Sequence, residues 1–86
     1  MNISVSLTFT PLQDNFEPPI IEFIKTLRAS GLTVLENPLS TQVYGPYDQV
    51  MPMLNSAIKT ALLNVDNGLM NLKIVKSDRS DYEPNF

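Results

Sequence analysis

The chain has 86 residues, a formal net charge of −3, and neither cysteine nor histidine. This length allows one small domain with one hydrophobic core. The missing residue types exclude disulfides, thiolate metal sites and nucleophilic mechanisms that depend on a histidine base. The six basic residues are scattered along the chain, so the positive stripe of a nucleic-acid binder is missing too.

The first third of the chain predicts a strand followed by a helix. Residues 3–10 alternate strictly between apolar and hydroxyl side chains, which is typical of a strand with one buried face. Pro11 is expected to end this strand. A helix is predicted over residues 18–30, because apolar residues recur there at helical spacing after two prolines suited to a first turn.

The middle of the chain predicts an antiparallel hairpin and a second helix. Strands over 32–36 and 41–45 are separated by a short turn, which favours direct pairing. Asp48 is the candidate N-cap of the second helix. Pro52 then falls just past the positions that tolerate proline, so we expect the helix to start later or to kink there.

The last part of the chain predicts a fourth strand and a polar tail. Asn67 and Gly68 are expected to stop the helix, and residues 69–76 form the strand. The tail over 77–86 is expected to be loosely held, with Tyr82 and Phe86 available to dock elsewhere.

The predicted β-α-β-β-α-β order is that of a ferredoxin-like α+β sandwich. Right-handed crossovers place strands 1 and 3 at the centre of a four-stranded antiparallel sheet with both helices on one face. We therefore expect a single domain over residues 1–86, with its core over about 3–76.

The sheet face without helices is the first candidate binding surface. It is rich in hydroxyl and amide groups, which form hydrogen bonds without the desolvation cost of ions. Such a face suits a neutral heterocycle or a protein partner, although serine and threonine are also ordinary on a solvated strand. The predicted residues of this face are Ser4, Ser6, Thr8, Thr10, Thr33, Leu35, Ser40, Gln42, Tyr44, Asn71, Lys73 and Val75.

The loop before the first helix is a second candidate. Asp14 can attract a cation and Phe16 can stack on a ring, but the same residues also suit helix entry. No glycine-rich phosphate loop and no carboxylate pair at a catalytic spacing is present in the sequence, so we expect neither a cofactor nor a metal.

Two segments carry a family resemblance. Residues 10–16 read Thr-Pro-Leu-Gln-Asp-Asn-Phe, and residues 37–48 contain Ser-Thr-Gln-Val-Tyr-Gly. Taken in order and spacing over roughly residues 3–76, they resemble the YkoF-related, thiamine-binding protein family. Phe16 is a departure, because relatives often carry tyrosine there.

The resemblance implies a ferredoxin-like protein that binds thiamine (vitamin B1) or its hydroxymethylpyrimidine moiety in uptake or salvage, without catalysis. It also implies association through the sheets, so we expect a homodimer or homotetramer. Amide and hydroxyl groups would contact the pyrimidine, and a carboxylate would attract the thiazolium. The predicted ligand-binding residues are Asp14, Ser40, Thr41 and Gln42, followed by Tyr44, Ser6 and Thr8.

Alternatives remain open at this point. Two locations for the pocket are compatible with the sequence: the open sheet face, and the space between the helices and the sheet. A second hypothesis for the function is an interaction module that oligomerises through the open face without a ligand. An enzyme such as an acylphosphatase would need an arginine beside a phosphate-holding loop, and neither Arg28 nor Arg79 has that setting. Without a signal peptide or a membrane span, we expect a cytoplasmic protein without nucleic-acid or membrane partners.

Overall fold

The computed structural model describes residues 1–81 and confirms the predicted α+β fold. Its sheet has the order β2-β3-β1-β4, and every neighbouring pair is antiparallel. The central strands are therefore β1 and β3, as predicted. The expectation for Tyr82 and Phe86 lies outside the described residues. The elements are β1 Asn2–Pro11, α1 Glu17–Arg28, β2 Thr33–Glu36, β3 Thr41–Pro46, α2 Tyr47–Leu63 and β4 Gly68–Val75.

The core lies between the sheet and the two helices. On β1, Val5 and Leu7 are each 1% exposed, because the strict alternation of the strand turns one set of side chains toward the helices. Leu27 of α1 and Leu54 of α2 meet them from the other side, and both are almost fully buried. Each such aliphatic side chain contributes about 1.5–3 kcal/mol when it is removed from water.

The start of α2 differs from the prediction. The helix begins at Tyr47, the preceding residue lies in the extended conformation, and Asp48 makes no capping hydrogen bond. The Tyr47 N–H instead donates to the Met1 carbonyl at 2.8 Å. Asp48 is thus a first-turn residue and not the N-cap.

Pro52 lies inside α2, so the expectation that the helix starts after it is wrong. An interior proline costs about 3 kcal/mol, because it lacks the N–H that would bond the carbonyl four residues earlier. Val50 and Leu54 flank it and are 0% and 1% exposed. Their combined burial, at about 1.5–3 kcal/mol each, offsets that cost.

The tail is held more firmly at its start than predicted. The Ser4 hydroxyl donates to the Ser77 carbonyl at 2.7 Å and accepts the Arg79 N–H at 2.8 Å. These bonds join residues more than 70 positions apart and bring the chain after β4 back against the open sheet face.

Neither α1 nor α2, the helices described within residues 1–81, combines the length and the hydropathy of a membrane-spanning segment.

Candidate functional site

A cavity of about 240 Å³ lies at one end of the sheet, between α1, β1 and the turn that joins β2 to β3. We call it the turn cavity. Three of the predicted ligand residues, Thr8, Ser40 and Thr41, line it. Its remaining lining residues are Leu7, Phe9, Ile20, Phe23, Ile24, Asn37, Pro38 and Leu39.

The turn cavity exists because β1 is longer than β3. The last residue pair between them is Leu7 with Thr41, whereas β1 continues to Pro11 with β4 as its partner. A notch therefore opens where β3 begins, next to Thr41. Phe23 of α1 closes the helix side of this notch, with its ring edge-on to Phe9 at 5.5 Å between centroids.

The backbone of Phe9 faces this notch. The Leu12 N–H donates to Asn67 on the β4 side, and the Met1 carbonyl accepts from Tyr47 on the β3 side. Since backbone groups point to alternate sides along a strand, odd-numbered residues of β1 direct theirs toward β3. No residue of β3 lies opposite Phe9. Its N–H and C=O therefore form a donor and acceptor pair at the notch.

A side-chain network holds the turn that bounds the cavity. The Asn37 amide donates to Gln42 Oε1 at 2.9 Å, and Gln42 Nε2 donates to Ser40 Oγ at 2.6 Å. Asn37 Oδ1 accepts the N–H groups of Leu39 and Ser40. Both ends of the Gln42 amide are thus engaged, so Gln42 positions Ser40. The Ser40 hydroxyl keeps its own proton for another acceptor.

The other predicted polar residues line a separate cavity. Ser6, Gln42 and Tyr44 border a space of about 210 Å³ on the open sheet face. Lys73 and Arg79 also line it, and none of its lining residues within 1–81 is acidic. Tyr44 is only 9% exposed, although it lies on the face without helices. The sequence offered no signal for Arg79, because its position follows from the hydrogen bonds at Ser4.

Asp14 lies in the exposed loop before α1 and lines neither cavity. It makes no capping bond to α1, which has no side-chain cap. The structure therefore brings the predicted carboxylate together with none of the other predicted residues. In the described part of the chain, no three acidic side chains converge in a way that could hold a metal ion.

Arg28 is engaged in a forked ion pair. Its guanidinium donates to both carboxylate oxygens of Glu36, at 2.5 and 2.7 Å. This hydrogen bonding, with the charge of the partner, lowers the pKa of Glu36 and raises the pKa of Arg28. The pair ties the end of α1 to β2, and Arg28 lines neither the turn cavity nor the open-face cavity.

Two contributors to the turn cavity were missed by sequence reasoning. The sequence predicts Asn37 only as a turn residue, although asparagine side chains in turns commonly form hydrogen bonds with the backbone two residues later. The Phe9 backbone has no sequence signal, because its exposure depends on the relative lengths of two strands.

Comparison with solved structures supports the fold. A Thermotoga maritima protein provisionally assigned to thiamine biosynthesis or salvage has a TM-score of 0.81 at 16% identity, over 90% of this chain and 85% of that one. A Streptococcus pneumoniae protein has a TM-score of 0.85 at 26% identity, over 94% and 92% of the two chains. A domain of unknown function from Bacillus cereus has a TM-score of 0.76 at 15% identity, over 91% and 78%.

No family model matches the chain, and no curated protein matches it by sequence. The structural similarity therefore establishes the ferredoxin-like fold, and fold alone does not fix function. What the chain binds has to be argued from its cavities.

Proposed function

We propose that this protein binds thiamine or its hydroxymethylpyrimidine moiety in the turn cavity, without converting it, and serves in uptake or salvage. The observation that carries the proposal is the notch where β3 begins. There, Thr8, Ser40 and Thr41 line the cavity beside the backbone of Phe9, which has no partner on β3. The name of the Thermotoga maritima neighbour, which shares the fold, points toward the same class of ligand.

The chemistry of the notch matches an aminopyrimidine. Such a ring presents an acceptor nitrogen beside an exocyclic amine donor on one edge. The N–H and C=O of Phe9 offer the complementary donor and acceptor on one strand edge. Ile20 and Ile24 of α1 supply apolar walls for the ring faces. Neutral partners of this kind suit a neutral ring, since burying an ion here would cost more.

The size of the cavity limits the part of the ligand that it can enclose. Ligand pockets commonly have volumes of about 300–1,000 Å³, and the turn cavity has about 240 Å³. One substituted pyrimidine ring therefore fits better than the whole of thiamine. The thiazolium would lie outside the cavity, where its charge stays hydrated.

Calorimetry with hydroxymethylpyrimidine, thiamine and thiamine phosphate tests the proposal. Thr41→Val keeps the side-chain shape and removes the hydroxyl, so we expect roughly tenfold weaker binding, about 1.4 kcal/mol. Ser6→Ala, in the open-face cavity, is the matched control and should leave affinity unchanged. The absence of binding by all three compounds to the folded protein would refute the proposal. Loss of affinity in Ser6→Ala alone would move the site to the open face.

A further inference from the structure

The open-face cavity has an unusual charge for this protein. Two of the six basic residues of the chain, Lys73 and Arg79, line it, although the formal net charge is −3. Like charges that share a small space repel each other, and an anion placed between them turns this repulsion into attraction. The charge of the cavity therefore favours a negatively charged occupant over the neutral ring that suits the rest of this sheet face.

Acidic side chains of the described residues leave both cations unneutralised. The ion pairs found within residues 1–81 involve Lys25 and Arg28, which lie elsewhere. Asp78 is the acidic neighbour of Arg79 in the chain, but it does not line the cavity, and its carboxylate accepts the Ser80 N–H at 2.8 Å. Both positive charges of the cavity are therefore available to a ligand.

The strand register places polar groups side by side on the floor of the cavity. Ser6 of β1 lies between Gln42 of β3 and Lys73 of β4. In the next row of the same face, Ser4 lies beside Tyr44. Directly opposite residues have Cβ atoms about 4.5–5.5 Å apart, so one small anion can contact more than one of these side chains.

Arg79 reaches the cavity from the chain after β4, and its backbone is anchored there. The Arg79 N–H donates to Ser4 Oγ at 2.8 Å, and the same hydroxyl donates to the Ser77 carbonyl at 2.7 Å. Ser4 is 7% exposed, so this anchor is buried. Because the backbone is fixed in advance, a ligand that binds the guanidinium has to order only the side chain, which lowers the entropic cost of binding.

The other groups available at the cavity can also donate hydrogen bonds. The hydroxyls of Ser6 and Tyr44 form no hydrogen bond with other residues in the part of the chain that the structure describes. The Tyr44 side chain is 9% exposed, so packing holds its ring in place. Hydroxyl, ammonium and guanidinium groups all donate to oxygen, and a guanidinium matches phosphate oxygens with two parallel N–H bonds. This set of donors is suited to an oxyanion.

We propose that the open-face cavity binds a phosphate group, as inorganic phosphate or as the phosphate of a small ester. Lys73 and Arg79 supply the positive charge, and the Ser6 and Tyr44 hydroxyls supply neutral donors. The cavity volume of about 210 Å³ suits a phosphate with a small substituent, because pockets for larger ligands commonly have about 300–1,000 Å³. Two cations are too few for a nucleic-acid backbone, which is bound by a row of them. The site is separate from the turn cavity and does not depend on the ligand proposed there.

Calorimetry with inorganic phosphate and with glycerol 3-phosphate, at low ionic strength, tests the proposal. We expect saturable binding that Lys73→Gln and Arg79→Gln each weaken about fivefold to tenfold. Tyr44→Phe removes one donor without a change of charge and should weaken binding about threefold. Lys76→Gln is the matched control, because it removes the same charge from an exposed lysine nearby in the chain that does not line the cavity. Lys73 and Arg79 are exposed as well, so melting temperatures should stay close to that of the unchanged protein.

The two compounds distinguish the sources of the phosphate group. Glycerol 3-phosphate binding at least as tightly as inorganic phosphate assigns the site to a phosphate ester, and weaker binding assigns it to the free anion. The absence of binding by either compound to the folded protein would overturn the proposal. Unchanged affinity in Arg79→Gln would overturn it too. An equal loss of affinity in Lys73→Gln and Lys76→Gln would also do so, since attraction to the overall surface charge would then explain the binding.

Discussion

Replacing Gln42 with alanine removes the brace of the turn that bounds the cavity. The side chain accepts from Asn37 at 2.9 Å and donates to Ser40 at 2.6 Å. A net value of about 0.5–1.5 kcal/mol for each hydrogen bond predicts a stability loss of about 1–2 kcal/mol, toward the low end because the turn is largely exposed. For a domain of this size, that lowers the melting temperature by about 4–16 °C.

The same change should weaken ligand binding through Ser40. Without the Gln42 amide, the Ser40 hydroxyl is no longer held beside the turn cavity, so we expect affinity for hydroxymethylpyrimidine to fall about threefold to tenfold. Thermal melting and calorimetry on the same preparation give both quantities. Because the effect acts through Ser40, a double-mutant cycle with Ser40→Ala should show coupling of about 0.5–1.5 kcal/mol in stability.

Gln13→Ala is the matched control for this prediction. Gln13 also uses its amide in a short hydrogen bond, to the Asn15 carbonyl at 2.6 Å, but in an exposed loop away from the turn cavity. We expect the free energy of unfolding of the Gln13→Ala variant to differ from that of the unchanged protein by less than about 0.5 kcal/mol. Equal melting temperatures for the Gln42 and Gln13 variants would refute the bracing role of Gln42.

Three further predictions concern stability. Ser4→Ala removes the bonds that hold Ser77 and the chain after it, so limited trypsin digestion should cleave the tail faster, and stability should fall about 1–2 kcal/mol. Glu36→Gln should make the free energy of unfolding fall less steeply as the pH becomes acidic. The pKa of Glu36 is lowered by its hydrogen bond to Arg28, so the ionised carboxylate stabilises the folded state above the unfolded-state pKa. That stabilisation is lost as the pH falls through the folded-state pKa, and the glutamine introduced at this position does not titrate. Urea titrations from pH 3 to 7 measure the free energy of unfolding of both proteins. The same pH dependence in the two proteins would contradict the prediction. Pro52→Ala restores a helical N–H and should stabilise the protein by about 1–3 kcal/mol in denaturant melts, whereas a loss of stability would show that the proline ring is needed for packing.

The fold was predictable because its signals are local. Alternation in residues 3–9 identifies the buried face of β1, and the helical spacing of Phe23 and Leu27 identifies the buried side of α1. The start of α2 was not predictable in the same way. Local rules oppose a helix through Pro52, and the burial of Val50 and Leu54 against the sheet outweighs them.

The candidate site shows where local signals end. The polar residues available for binding were predictable, because hydroxyl and amide side chains such as Ser40, Thr41 and Gln42 can be identified without a structure. Which of these residues line the same cavity was not predictable, because it depends on how the strands pair and pack. The notch at Phe9 exists because β1 extends past β3, and the open-face cavity includes Arg79 because Ser4 bonds to the distant chain end. Both depend on strand register and long-range contacts, which arise from the packing of the whole domain.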